Sequence, residues 1–160
     1  MRRILSLMIA AVMLTMCIVG CGKRDPKYIG KWEADSMNLG GESSTAVMGV
    51  PLSALFRFEV TDDGKVTWRS AVDNNIIQNA RSNMDITWKE TEENRIEFKV
   101  TDLSGKTATQ TMNLNYRDDM LVIEENGSAI YLKKVDEFTE IDPALLNSAA
   151  SAIQNYGISN

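Results

Sequence analysis

Few side chains in this sequence are able to do chemistry, and the missing types exclude more than the present ones suggest. The chain has 160 residues and no histidine. That removes a Ser-His-Asp triad, a histidine general base and histidine-ligated zinc. Three acidic pairs, Asp62-Asp63, Asp118-Asp119 and Glu124-Glu125, offer carboxylates for Ca²⁺ or for acid–base work on a glycosidic bond. None has the spaced oxygens of a calcium loop, and neighbours on one turn do not face each other across a cleft. Each pair falls at a turn, where acidic side chains bond nearby backbone, and turn chemistry is the better account. Met37, Met48, Met84, Met112 and Met120 carry soft thioethers suited to Cu(I), but they lack Met-x-x-Met spacing and any histidine or cysteine beside them. No nucleophile stands by a base and no cofactor is implied, so the chain is not expected to be an enzyme.

The N-terminus supplies a different chemistry. Met1-Arg2-Arg3 precedes an apolar run from Ile4 to Val19. At ~16 residues it is shorter than the ~20 that span a bilayer, and it reads as a secretory signal peptide over residues 1–20. The next residues, Ile18-Val19-Gly20-Cys21, resemble a bacterial lipobox. The resemblance implies that Cys21 receives a diacylglyceryl group and becomes the new N-terminus. Two or more acyl chains give stable attachment where one does not. The expected location is therefore the extracytoplasmic face of the cell membrane, with the bilayer as partner through acylated Cys21. Residues 21–27 read as a polar tether. Cleavage discards Cys17, so the mature chain has no disulfide to hold it. It also leaves 15 bases against 22 acids, a net charge of −7, with no basic run; nucleic acid is not an expected partner.

From Tyr28 onward the dominant period is two. Phe56, Phe58 and Val60 share one face, Asp62-Asp63-Gly64 turns, and Val66-Thr67-Trp68 returns. Met84 to Trp88, Ile96 to Val100, Thr107 to Tyr116, Met120 to Glu124 and Ala129 to Val135 continue the series, separated by Asn-, Asp- and Gly-bearing turns. With an opening strand near Tyr28 to Ala34, this predicts about eight strands. An antiparallel meander with one apolar face blunts its edges by curling into a barrel. Two stretches are too long for tight turns: Asn38–Leu52, with room for a short helical turn, and the polar Ser70–Ser82. Asp142-Pro143 opens a helix to about Asn155, with Ile141, Leu145, Ala149, Ala152, Ile153 and Tyr156 at helical spacing and Gly157 as a stop.

Gly30-Lys31-Trp32 resembles the Gly-x-Trp opening of lipocalin-like barrels. With the hairpins, the final helix and the lipobox, the chain is similar to small lipocalin-like bacterial lipoproteins. The resemblance implies that Trp32 plugs the closed end and that Gly30 permits close backbone approach. It also implies a cation over the tryptophan after the last strand, a place only Lys133 or Lys134 can fill. The second lipocalin motif has no match here. The expected fold is mainly β: an antiparallel up-and-down meander of about eight strands closing into a lipocalin-like barrel over residues 28–136. One C-terminal α-helix, within 137–160, packs on the outside or covers an end.

Phe58, Trp68, Trp88, Phe98 and Met112 share the inward parity of their strands. They line either a calyx for a small apolar ligand or a filled core. The expected function is a non-catalytic binding module for a small molecule or a cell-envelope component. The alternative is a protein-interaction or inhibitor module with a solid barrel, its apolar patch near Met48 and Val50.

Overall fold

The computed structural model describes residues 24–105 and 107–157, the side chains of 152–157 excepted. Residues 1–20, expected to be a signal peptide, and Cys21, the expected acylation site, lie outside the described residues. The chain runs β1 (Gly30–Leu39), β2 (Glu42–Ser44), β3 (Ala46–Val47), β4 (Val50–Pro51), α1 (Leu52–Leu55), β5 (Arg57–Val60) and β6 (Lys65–Trp68). It continues with α2 (Asn75–Ser82), β7 (Met84–Glu92), β8 (Arg95–Asp102), β9 (Gln110–Arg117), β10 (Met120–Glu125), β11 (Ser128–Val135) and α3 (Pro143–Gly157). β1 pairs with β5 on one side and β11 on the other, and β5 to β11 follow in sequence order. The result is a closed eight-stranded antiparallel barrel with β2 as an extra strand on the far end of β1. It is compatible with the lipocalin-like arrangement that the opening motif suggests.

The strand directions sort the connections by end. Tight turns after β5, β7 and β9 lie with the start of β1; the longer connections after β1, β6 and β8 lie at the other end. Asn94, Asp118, Asp119, Asn126 and Gly127 all have positive φ, the left-handed conformation that tight hairpin turns demand and that Asn, Asp and Gly tolerate best. The acidic pair Asp118-Asp119 is thus a turn, with Asp119 accepting a hydrogen bond from the Tyr116 hydroxyl at 2.9 Å.

Both long stretches carry more structure than the period-two pattern reveals. Asn38–Leu52 holds the β1–β2 turn and a small β3–β4 ribbon, and leads into α1. Ser70–Ser82 ends in the helix α2, a length of only 8 residues whose apolar members are Ile76, Ile77 and Ala80. Its N-cap is Asn74, whose side chain accepts from the Ile77 N–H at 2.8 Å, and Ile77 is its one buried residue.

The C-terminal segment is locked to the outer wall by a buried charge. Glu33 alternates with the inward-facing Trp32 and Ala34, points outward, and is nevertheless 0% exposed. Its carboxylate accepts from the Thr139 N–H at 2.9 Å and the Thr139 hydroxyl at 2.5 Å. Arg57, its cross-strand partner, is also buried and donates to the carbonyls of Ser53 and Thr139, with Phe138 under its guanidinium. Buried polar groups must be paired in this way or they destabilise. From this strap α3 starts, the Asp142 side chain accepting from the Ala144 N–H at 2.8 Å. Ala149 then packs on Val50, Ala54 and Val72 in a second small core. Val50 is therefore covered, and the apolar patch expected around Met48 and Val50 reduces to Met48, which is 66% exposed.

Candidate functional site

The two ends of the barrel are finished differently. At the closed end Trp32 is fully buried; its indole N–H donates to the Tyr28 carbonyl at 2.8 Å and its ring meets Tyr116 edge-on at 6.4 Å. Lys134 supplies the cation: its ammonium lies 5.7 Å from the Trp32 ring and donates to the carbonyls of Pro26 and Lys27. Gly30 has a φ of +136°, and a Cβ there would stand 2.8 Å from the Lys134 Cε, so a side chain would displace the lysine. Tyr28, Val60, Ile96, Leu114, Leu121 and Leu132 complete a packed base.

Toward the other end the inward-facing side chains become half-exposed. Phe58, Trp68, Met84, Val100 and Met112 are all intermediate in burial, where Trp88 and Phe98 one level lower are buried. The five aromatic and methionine candidates therefore share the inward face but not one depth. Phe58 and Phe98 pack edge-to-face at 5.9 Å, and Trp88 packs on Tyr28 at 6.0 Å, its indole N–H bonded to the Thr61 carbonyl near the base. Trp68 and Met112 stand higher. Trp68 is held by a 2.7 Å bond from its indole N–H to the Leu55 carbonyl.

The wall itself is open at this level. β6 and β7 pair only at Lys65–Thr87 and Val66–Ile86, so Trp68 and Met84 have no cross-strand partner in that seam. The cause lies in the path of the chain beyond β6. It stays with β5 and α1, through Arg69 N–H to the Arg57 carbonyl and Ala71 N–H to the Ala54 carbonyl, both 2.7 Å. It diverges from β7 and returns through α2. The seam widens into a cleft of about 860 Å³ under α2, lined by Val66, Trp68, Met84 and Ile86 and by a larger set of polar side chains that includes Lys65, Asp73, Gln78, Arg81 and Asp85. The Lys65–Asp85 ion pair, 3.0 Å, closes its lower end. A neighbouring cleft of about 370 Å³, between α2 and the β8–β9 turn, also has Met84 in its lining, with Val100. Sequence parity placed Trp68 here, but it did not show the part played by α2, whose apolar residues are only Ile76, Ile77 and Ala80 in a short polar stretch.

The rim of the mouth is held by Asp102. It accepts from the Ser104 N–H and hydroxyl at 2.8 and 2.6 Å and from the Thr107 N–H at 2.9 Å. These bonds to the ionised carboxylate, Ser104 foremost, lower its pKa from an ordinary 3.8 to about 2. A pKa depressed by folding means the stabilisation is complete above the ordinary value and fades as pH falls toward 2. A carboxyl-carbon NMR titration is expected to find the Asp102 midpoint near 2; a midpoint at the ordinary carboxylate value would show that the turn is not held this way.

Among the described residues no cluster of three or more Asp, Glu, Cys or His side chains is placed to hold a metal ion. The methionines do not converge either: Met48 is exposed on the β3–β4 turn, and Met120 starts β10 at the closed end. Compared with protein-family models, curated proteins and solved structures, the chain matches none.

Proposed function

We propose that this chain is a lipid-anchored, extracytoplasmic lipoprotein whose lipocalin-like barrel binds a small, largely apolar molecule at its mouth without catalysing a reaction. The observation that supports it best is the gradient of burial along the inward faces: a base in which Tyr28, Trp32, Val60, Ile96 and Leu114 are buried, and above it aromatic and thioether side chains left half-exposed. Trp68, Met84 and Val100, which line the two clefts, are suited to such a ligand, because apolar side chains at a concave site recover transfer free energy when covered, ~25 cal/mol per Å²; Phe58 and Met112 line neither cleft. Met84 borders both clefts, so filling its position tests the site. A soluble domain starting at Gly22 is expected to bind an apolar fluorescent probe such as N-phenyl-1-naphthylamine, and Met84→Trp to abolish that binding without lowering the melting temperature.

A second reading has its own support. Leu39, Met48, Ile76 and Leu103 are exposed large apolar side chains, all belonging to segments at the mouth end. An envelope protein docking on that end would cover them.

A further inference from the structure

Residues 24–27, expected from sequence to be a free tether, are bound across the closed end of the barrel. The Arg24 guanidinium donates to the Asp62 carbonyl at 2.6 Å, lies against Gly64 in the β5–β6 turn, and sits 5.3 Å from the Trp88 ring. The Asp25 N–H donates to Glu90 at 2.7 Å. The Lys27 ammonium donates to Asn94 in the β7–β8 turn at 3.1 Å and lies 4.8 Å from the Tyr28 ring and 5.4 Å from the Tyr116 ring. Lys134 ties down the carbonyls of Pro26 and Lys27 from β11. The segment thus touches β5–β6, β7–β8, β9 and β11, all at one end.

We infer that the closed end faces the bilayer and the mouth opens away from it, so that the ligand arrives from the aqueous side and not from the membrane that carries the anchor. This rests on the lipid-anchor reading of Cys21. The magnitudes decide it. Cys21 and Arg24 are three residue steps apart, a reach of at most ~11 Å. β8, β9 and β11 have 8 residues each, ~26 Å of strand and, tilted by ~40°, ~20 Å of barrel height. A mouth ~20 Å above the docked Arg24 cannot turn back to the bilayer on ~11 Å of chain. Only release of Arg24–Lys27 would lengthen the tether enough.

The acylated full-length chain, reconstituted into phosphatidylcholine vesicles, tests this with one fluorophore at a time. Glu93→Cys reports the closed end and Glu42→Cys the mouth; acylation has consumed the Cys21 thiol, so each introduced thiol is labelled alone. A spin label on the lipid headgroup is expected to quench the fluorophore at position 93 several-fold more than at 42. Adding Arg24→Ala and Lys27→Ala is expected to shrink that difference. If chain and Cys21→Ala variant float with vesicles equally, the anchor is wrong and the orientation falls with it. If flotation depends on Cys21 but position 42 is quenched as strongly as 93, the orientation alone is wrong.

Discussion

Trp32→Ala is expected to lower the unfolding free energy by ~3–5 kcal/mol, the range for removing a fully buried aromatic side chain. The indole is 0% exposed, and its loss strands the Tyr28 carbonyl that it bonds. It also takes away the surface on which Tyr116 and Lys134 rest. A domain of this size has only ~5–15 kcal/mol to lose, and no disulfide is expected to limit the unfolded chain. Denaturant unfolding of the soluble domain measures the effect through the shift in midpoint at constant slope. A variant that unfolds at the wild-type midpoint would show that the plug contributes little.

Arg57→Met is the second large effect. The guanidinium is buried, which lowers its pKa, while the nearby Glu33 carboxylate works in the opposite direction. Methionine conserves much of the volume but leaves the carbonyls of Ser53 and Thr139 without their donor and Glu33 with only the half-exposed Lys133, 3.9 Å away, as a cation. Leaving a buried charge or acceptor uncompensated costs ~3 kcal/mol or more. Because Thr139 is the pin of the strap, the variant is also expected to expose the segment between β11 and α3 to proteases before the barrel unfolds. Adding Glu33→Gln is expected to return part of the lost stability, since the amide carries no charge to strand. Loss of stability with no change in the order of proteolytic cuts would separate Arg57 from the strap.

The barrel was legible because its signals are local. Alternation at Phe56–Val60, Met84–Trp88 and Ile96–Val100 and turn residues such as Asn126-Gly127 each act within a few residues, and a meander needs nothing longer. Asp142-Pro143 marked α3 for the same reason. The features that were not legible depend on partners far along the chain. α2 buries only Ile77, leaves Ile76 exposed, and is held by its cap and by Asn74 donating to the Ala150 carbonyl. The β6–β7 seam comes from Arg69 and Ala71 following β5 and α1, a choice no periodicity records. Val50 reads as an exposed ribbon residue until α3 is set on it. Glu33 reads as solvent-facing until Thr139 covers it, and Arg24 and Lys27 read as tether until the turns they bind are brought to one end.

These unforeseen contacts are the ones that shape the candidate site: they seal one end, hold the other apart, and place Met84 where the two clefts meet. Titration of N-phenyl-1-naphthylamine into the wild-type domain and its Met84→Trp variant, with tryptophan-to-probe energy transfer as the signal, addresses that site most directly. The account predicts saturable binding with tryptophan-to-probe transfer in the wild type and none in the variant, at equal melting temperature. Equal binding by both proteins, or no saturable binding by the wild type, would contradict a ligand site at the mouth.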